Sequence, residues 1–354
     1  MRESLPARDL DELLGLSPDP WAALDGARVF LTGATGLVGR WLVESLLWAV
    51  ERRGLKTRIV LLVRRPGSWE ALSPHWAGHP AVGVHPGDVR DFAWPDGAFS
   101  HVVHLAAPAD GRVHRADPRG LFDVIVGGTR RTLEFAERAG AGRYLLASSG
   151  AAYGRHAKAA AWVDEDCLEG PDPLDARHPY DEAKRAAETL TAIFHRPGAL
   201  EPVVARLFSV VGPLLPLDWH YAAGNFVRDA LAGGPIRVAG DGTPERAYLH
   251  LADMAWWFWV LLASGRGGRA YNVSGDEAVD IRGLAERIAR CFDPAPMVTV
   301  ACPPRPGAPV NRQAGATARA RGELGLRVRI GLDEALRRTV AWHRARRDAA
   351  SDGP

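Results

Sequence analysis

Two side chains with complementary chemistry stand four residues apart in the segment HPYDEAKRAAE, residues 178–188. At this spacing in a helix, Tyr180 and Lys184 share one face, with Cβ atoms roughly 5–6 Å apart. A compact ammonium hydrogen-bonds ribose hydroxyls and lowers the pKa of a neighbouring phenol, which a planar guanidinium does less well. Many solvated helices carry such a pair without any function. However, the chain has only three lysines, Lys56, Lys158 and Lys184, among 44 Lys+Arg, so the choice of lysine at 184 favours a chemical role.

Three glycines form a second pattern in FLTGATGLVGRW, residues 30–41. They follow an apolar strand directly and open an apolar helix. In that position the first glycine turns the chain tightly, the second lets the backbone approach a pyrophosphate, and the helix N-terminus supplies N–H donors. The context predicts dinucleotide binding rather than only a tight turn. The residues predicted to hold the cofactor here are Gly33, Thr35, Gly36, Leu37, Val38 and Gly39.

The ends of the next two strands bear on the choice of dinucleotide. The run IVLLV leads into Arg64 and Arg65, where NAD-preferring sites place a carboxylate for the ribose hydroxyls. Arginine suits a 2′-phosphate, so NADP is favoured over NAD, the alternative being two ordinary surface arginines. Asp88, in PGDV, is predicted to meet the adenine edge, and HLAAP to lie along the pyrophosphate. The further predicted cofactor residues are therefore Arg64, Arg65, Asp88, Val89, Leu105, Ala106 and Ala107.

The pattern between these motifs predicts the elements that position them. From residue 27, short apolar runs alternate with helical patterns of roughly 10–15 residues, which is typical of a doubly wound parallel sheet in an α/β fold. We predict an N-terminal extension (1–25), a dinucleotide-binding lobe (26–205), a smaller mixed C-terminal lobe (206–345) and a tail (346–354). Segments near 246–262 are candidates to return to the first lobe. The apolar helix with Trp256, Trp257 and Trp259 is predicted to be a buried packing helix.

Composition excludes several classes of function. At 354 residues, 47% hydrophobic and a formal net charge of +2, the chain can bury a large core and lacks the charge excess of a nucleic-acid-binding protein. Cys167, Cys291 and Cys302 are odd in number and far apart, which favours neither a disulfide framework nor a zinc site, and no metal site is predicted. No run of about 18 apolar residues could span a bilayer, and the N-terminus is unlike a signal peptide. We therefore expect a cytoplasmic protein without a membrane partner.

With these parts in order, the sequence resembles the extended short-chain dehydrogenase/reductase family, which includes NAD(P)-dependent nucleotide-sugar epimerases and dehydratases. The matching stretches are TGATGLVG, GDV, HLAA, SSGAAYG, YDEAK, ARLFSVVGP, GGPIRVAGDGTPERAYLHLADM, YNVSG and ARARGELGL. They cover nearly the whole chain. The resemblance implies a Rossmann-type lobe for NAD(P), a C-terminal substrate lobe, and a nucleotide diphosphate sugar that meets the nicotinamide between the two.

The resemblance also implies roles for single residues. Tyr180, with its pKa lowered by Lys184 and by the nicotinamide charge, is expected to take the proton of a sugar hydroxyl while hydride passes to the cofactor. Ser149 is expected to hydrogen-bond the same oxygen, and Lys184 to hold the nicotinamide ribose. Ser149, Tyr180 and Lys184 are thus the expected catalytic residues. Ser148 comes one position earlier on a strand and should face the other way.

The two residues after Ser149 narrow the choice among the reactions that the family catalyses. Dehydratases of the family typically carry two acidic residues there, and UDP-glucuronate decarboxylases carry a glutamate at the second position, whereas this chain has Gly150 and Ala151. Apolar residues suit a 4-epimerase, which oxidises a hydroxyl, turns the keto-sugar and returns hydride to its other face. This epimerase is our first expectation, and an NADPH-dependent 4-ketoreductase suits the same residues equally.

Other functions stay open at this stage. A dehydratase or decarboxylase of the same family would need non-standard acid/base residues, for which His178, His220 and Tyr221 are candidates. A catalytically silent NADP-sensing module is least favoured, because the serine, tyrosine and lysine are all present.

The resemblance extends to substrate binding and assembly. Arg246, in PERAYLH, matches an arginine that would bond phosphate oxygens, the alternative being an ordinary surface arginine. Asn225 matches an asparagine that contacts the sugar or phosphates, and Arg312 is expected to reach the same phosphates. Ser209 replaces the usual asparagine after ARLF, so one contact to the substrate is altered. Relatives often dimerise through a four-helix bundle, which predicts a homodimer built from the helix near 124–139 and the helix that begins at Tyr180.

Overall fold

The computed structural model describes residues 5–108, 110–154, 162–195, 200–307 and 310–351. Lys158, the first four residues of the N-terminal extension and the last three of the tail lie outside these ranges. The strands are β1 Arg28–Thr32, β2 Arg58–Val63, β3 Val82–Pro86, β4 His101–His104, β5 Arg143–Ser149, β6 Glu201–Leu207, β7 Ser209–Val211, β8 Ile236–Val238, β9 Glu245–His250, β10 Arg269–Val273, β11 Ala278–Asp280, β12 Val298–Val300 and β13 Arg312–Gln313.

The helices alternate with these strands. They are α1 Ala7–Leu14, α2 Trp21–Leu24, α3 Leu37–Arg53, α4 Pro66–Leu72, α5 Gly111–Ala116, α6 Pro118–Arg138, α7 Pro179–His195, α8 Ala222–Leu231, α9 Leu251–Ser264, α10 Ile281–Ala289, α11 Ala318–Leu324 and α12 Leu332–Ser351, with one 3-10 helix, Gly150–Tyr153. Among the described residues, no helix is both long enough and apolar enough to cross a membrane.

The main sheet has seven strands, all parallel, in the order β10-β6-β5-β4-β1-β2-β3. Strand β1 lies between β2 and β4, so the chain winds outward from β1 in both directions. A crevice for a ligand forms where the winding direction reverses, beside the carboxyl ends of β1 and β4. The predicted α/β fold with a doubly wound parallel sheet is confirmed.

Apolar runs in the sequence explain why these strands form the centre. In β1, Val29, Phe30 and Leu31 are fully buried, as expected for strands covered by helices on both faces. One face carries α6 and α7 over a cluster of phenylalanines around Phe30 and Phe135. The other carries α3 and α9.

The C-terminal half contributes to both lobes. A smaller mixed sheet joins β7, β9, β11 and β13, in which β11 runs antiparallel to β9 and the others run parallel. Strand β10 instead pairs with β6 in the main sheet, and α9 packs against β5 and β6. Trp256, Trp257 and Trp259 on α9 are fully buried, as predicted. The exact boundaries between the lobes stay a prediction.

The N-terminal extension is built into the dinucleotide-binding lobe. Helix α1 packs on α3 and α9, and Trp21 is fully buried with its ring 6.2 Å from that of Trp259. The buried Asp9 on α1 forms an ion pair with Arg338 on α12 at 2.5 Å. No residue of α1 is among the described residues that line the large cavity of the molecule, so α1 contributes to the fold rather than to the site.

Candidate active site

The glycine turn between β1 and α3 is packed too tightly for a side chain. Gly33 has a left-handed φ of +77°, and a Cβ there would lie 2.9 Å from the amide nitrogen of Ala106. At Gly39, a Cβ would lie 2.7 Å from the Cα of Ala34. The first residue beyond the turn, Gly36, is the N-cap of α3 and offers no side chain to the backbone N–H groups of the first turn. Those donors are therefore directed at the crevice, where they suit an anionic group.

The crevice is a cavity of about 1160 Å³ at the carboxyl ends of the main strands. Its size exceeds the roughly 300–1,000 Å³ that one ligand usually needs, so a dinucleotide and a second ligand can share it. All thirteen predicted cofactor residues outside α7 line it: Gly33, Thr35, Gly36, Leu37, Val38, Gly39, Arg64, Arg65, Asp88, Val89, Leu105, Ala106 and Ala107. The bare turn, the uncapped α3 and this lining together fit a dinucleotide.

The three predicted catalytic side chains meet on one wall of this cavity. Ser149 ends β5, while Tyr180 and Lys184 lie one turn apart near the start of α7. The Ser149 hydroxyl accepts a hydrogen bond from the backbone N–H of Ala151 at 3.1 Å and lies close enough to the Tyr180 phenol to influence its pKa. The Lys184 Nζ lies 5.7 Å from the centre of the Tyr180 ring and donates a hydrogen bond to the carbonyl oxygen of Ala147 at 2.7 Å.

Burial sets the protonation states of this trio. It raises the pKa of Tyr180, an effect that the nearby Ser149 hydroxyl opposes. It lowers the pKa of Lys184 to about 8, opposed by the nearby carboxylate of Glu188. The sequence predicted a lowered pKa for Tyr180, whereas the protein alone raises it, because desolvation of the phenol outweighs its polar contacts. The phenol is therefore protonated at neutral pH until further positive charge enters the cavity.

Ser148 points away from the catalytic wall, as predicted. Its hydroxyl bonds to Glu188, whose carboxylate also accepts from Arg206 at 2.7 Å. The Arg206 guanidinium in turn lies over the ring of Tyr153, 4.6 Å from its centre. These hydrogen-bonded side chains connect β5, β6 and α7 behind Ser149. They therefore fix the position of the end of β5, which carries Ser149.

Gly150 and Ala151 leave the wall next to Ser149 without a polar side chain. A Cβ at Gly150 would lie 2.6 Å from the ring of Phe208, which itself stacks near Tyr153 with ring centres 6.2 Å apart. Phe208 therefore occupies the space that a longer side chain at 150 would need. Both Phe208 and Ala151 line the cavity.

Of the described residues that line the cavity, only Asp88 and Asp110 carry carboxylates. Hydrogen bonds from Arg90 lower the pKa of Asp88, and hydrogen bonds from Arg112 lower that of Asp110. Both groups are thus ionised at neutral pH and cannot act as proton donors.

Two imidazoles and a second phenol also line the cavity. The His114 ring lies parallel to the Tyr180 ring, with centres 4.8 Å apart and planes 13° apart. His220 lies 6.5 Å from His114 and 4.5 Å from Tyr221, centre to centre. Burial raises the pKa of Tyr221 to about 12 and lowers that of His220. Sequence reasoning found His220 and Tyr221 but missed His114, whose only signal was its place soon after the carboxyl end of β4.

The remaining predicted residues are placed as follows. Arg246 lines the cavity, where burial lowers its pKa and its guanidinium donates to the Asn311 carbonyl at 2.8 Å. Asn225 lies on α8, beyond the cavity lining, and accepts from Arg228. His178 also lies outside the lining and bonds Asp181 at 3.0 Å. Arg312 is outside as well, paired with Glu245, while its neighbour Gln313 lines the cavity.

The roles of Asn225, Arg246 and Arg312 in substrate binding stay predictions, since only Arg246 lines the cavity. Within the described ranges, no group of three or more histidine, cysteine, aspartate or glutamate side chains is arranged to hold a metal ion.

The chain is similar in sequence and in structure to several known proteins. The chain is 27% identical over 328 residues to UDP-glucuronic acid decarboxylase 1 of Arabidopsis thaliana, covering 90% of this chain and 70% of the relative. It is 28% identical to the dTDP-glucose 4,6-dehydratase of Streptomyces antibioticus, covering 90% and 93%. The solved structure of MoeE5 in complex with UDP-glucuronic acid and NAD has a TM-score of 0.73 and 28% identity, covering 90% and 99%. The sequence model of the NAD dependent epimerase/dehydratase family matches residues 29–274, and the chain belongs to that family.

Proposed function

We propose that this chain oxidises a hydroxyl of a nucleotide diphosphate sugar to a ketone and then reduces it again, as an NAD(P)-dependent epimerase. The observation that supports this most directly is a cavity wall that carries Ser149, Tyr180 and Lys184, while the two positions after Ser149 are Gly150 and Ala151 and so carry no acidic side chain. Relatives that bind UDP-glucuronic acid and NAD, or act on dTDP-glucose, support the class of substrate and cofactor.

Each residue of the wall has a defined task in this proposal. Ser149 donates a hydrogen bond to the sugar oxygen, and Tyr180 exchanges a proton with it. The role of a bound NAD(P) is to store the hydride that leaves the sugar carbon and later returns. Lys184, protonated below pH about 8, and the positive charge of an oxidised nicotinamide would together favour the phenolate. Gly33, Gly36 and the first turn of α3 would hold the pyrophosphate.

The test is mass spectrometry of the purified enzyme with UDP-glucose, UDP-glucuronic acid and dTDP-glucose, without added cofactor. We expect a product of unchanged mass and altered retention. Tyr180→Phe should lower the rate roughly 10²–10⁴-fold because the proton acceptor is lost. Tyr144→Phe is the matched control, since that phenol is buried outside the cavity and bonds Thr132 at 2.9 Å. Full activity in Tyr180→Phe would refute the proposal.

A second candidate is a dehydratase or decarboxylase that uses other acid/base residues. The relatives named above favour it, and so does the placement of His114, His220 and Tyr221 beside Tyr180. A product lighter by water or carbon dioxide would select this candidate over the epimerase. A requirement for stoichiometric NADPH with a keto-sugar would instead select the ketoreductase.

We also propose that the protein is a homodimer through α6 and α7. These two helices pack side by side on one face of the sheet, and Phe122 on α6 and Ile193 on α7 are exposed apolar side chains. Burial of both in a four-helix bundle would remove apolar surface from water. Light scattering at micromolar concentration should give the mass of two chains, and a monomer mass would contradict the proposal.

A further inference from the structure

The imidazoles of His114 and His220 are held in defined tautomers by backbone groups of one short segment. His114 Nε2 lies 2.8 Å from the carbonyl oxygen of Pro108, which can only accept, so the proton of the neutral ring is on Nε2. His220 Nδ1 accepts from the backbone N–H of Gly111 at 3.2 Å, so its proton is also on Nε2. Among the described residues, neither ring makes another hydrogen bond. His114 is left with a bare Nδ1, and His220 with an unused N–H.

Charges around the pair keep His220 neutral. Burial lowers its pKa, and the neighbouring His114, Arg115 and Arg112 lower it further, while Asp110 opposes them. A neutral imidazole with a fixed N–H is a hydrogen-bond donor that does not lose its proton at working pH. His220 therefore suits the polarisation of an oxygen rather than proton transfer.

The imidazole of His114 stacks on the ring of Tyr180, so a base lies next to the phenol that would exchange a proton with the sugar. Their ring centres are 4.8 Å apart and both side chains line the same cavity. A sugar whose oxygen meets the Tyr180 hydroxyl would therefore share the cavity with the His114 imidazole. The two carboxylates of the described lining, Asp88 and Asp110, are each engaged by the guanidinium group of an arginine. The Nδ1 atom of His114 has no such partner among the described residues, which favours it as the base.

We propose that His114 is a second acid/base residue, which removes the proton from the carbon next to the transient ketone, while the N–H of His220 polarises the substrate. This inference rests on the proposed function, since the ketone activates that carbon. The C–H bond breaks, its proton goes to His114 Nδ1, and its electron pair forms the C=C bond of an enolate. The ketone oxygen takes the negative charge and is hydrogen-bonded by the Tyr180 hydroxyl. Return of the proton from the His114 imidazolium to carbon completes the balance. The enzyme would thus act at two adjacent carbons of the sugar.

Deuterium incorporation from D₂O tests this step. The probes are UDP-glucose, UDP-glucuronic acid and dTDP-glucose, together with a nucleotide 4-keto-sugar that supplies the ketone directly. We expect one deuterium at the carbon beside the ketone with wild-type enzyme. His114→Gln keeps a donor for Pro108 but has no base, so exchange should fall roughly 10²–10⁴-fold, far more than hydride transfer, which is followed by absorbance of the reduced cofactor.

Variants of His220 distinguish its role from the role of His114. His220→Gln can still accept from Gly111 and still offers an N–H, so exchange should stay near the wild-type rate. His220→Ala loses the donor, and exchange should fall roughly 10²-fold. His85→Gln is the matched control and should change nothing, because His85 on β3 lies outside the cavity lining and, among the described residues, bonds only a backbone carbonyl, that of Ala93. If His114→Gln impairs exchange and hydride transfer equally, His114 only supports Tyr180 and the proposal is overturned.

Failure of this inference can be told apart from failure of the proposed function. Hydride transfer without deuterium uptake in the wild-type enzyme would overturn the second acid/base residue and leave the epimerase intact. Conversely, exchange into the supplied keto-sugar that persists in Tyr180→Phe would support His114 whatever the redox step proves to be. Nitrogen-15 spectra of labelled imidazoles provide a readout without substrate, since a proton on Nδ1 of His114 would also refute the proposal.

Discussion

The two ends of the cavity are built in opposite ways. At the cofactor end, the glycine turn and the first turn of α3 present backbone groups, and a Cβ at Gly33 or Gly39 would collide with neighbouring backbone atoms. At the catalytic end, side chains from β5, α5, α7 and the segment before α8 converge, and their protonation depends on burial. The difference teaches that dinucleotide binding here depends on shape, whereas the choice of reaction depends on which few side chains meet.

The largest effect is expected at the catalytic end, from the pH dependence of stability. The pKa of Lys184 is about 8 in the folded protein and 10.5 when exposed, so the unfolded chain binds this proton more tightly. Unfolding therefore takes up a proton between these values, and stability rises with pH across this window by about 3 kcal/mol from this group. Urea unfolding of the cofactor-free protein from pH 7 to 10.5 measures it.

Lys184→Met should remove this rise, and should be more stable than wild type below pH 8 because a buried ammonium no longer has to be desolvated. Lys56→Met is the matched control, since Lys56 is exposed and should leave the slope unchanged. Parallel curves for wild type and Lys184→Met would show that the burial of this lysine does not lower its pKa.

An intermediate effect is expected at the glycine turn. In Gly39→Ala the new Cβ would lie 2.7 Å from the Cα of Ala34, so backbone must move and the free energy of unfolding should fall by roughly 1–3 kcal/mol. NAD(P) binding by calorimetry should be lost with it. Gly67→Ala, on α4 with no atom within 4 Å of the new Cβ, should be neutral or slightly stabilising. Normal NAD(P) affinity in Gly39→Ala would show that the turn is not the cofactor site.

The smallest effect is expected at Arg64 and Arg65, whose side chains add selectivity between cofactors to a site formed mainly by backbone groups. Removal of both by Arg→Ala substitution should weaken NADPH binding roughly 10- to 100-fold and leave NADH binding nearly unchanged, because only NADPH carries the 2′-phosphate. Arg58→Ala, at the opposite end of β2, controls for the loss of surface charge. Equal losses for the two cofactors would remove the case for NADP and reduce these residues to surface arginines.

The spacing of residues within short segments determined much of the candidate active site. The glycines of the turn, the arginines after β2 and the Tyr180–Lys184 pair are each set by a few consecutive residues, and strand ends of a parallel sheet meet at one edge whatever the loops do. This is why the fold followed from the sequence, and why the residues predicted for the cofactor and for catalysis line one cavity. The direction of Ser148, away from the site, also followed from the two-residue period of a strand.

What the tertiary structure alone decided depends on contacts between distant segments. Gly111 meets His220 across 109 positions of the chain, and Phe208 fills the space at Gly150 only because β6 pairs with β5. The direction of the Tyr180 pKa shift likewise depends on how much water the folded cavity removes from the phenol, which spacing does not reveal. Sequence by itself thus determined the backbone frame and its cofactor turn, because these obey local geometry. Folding determined the acid/base chemistry, because burial and long-range packing set both the neighbours and their protonation.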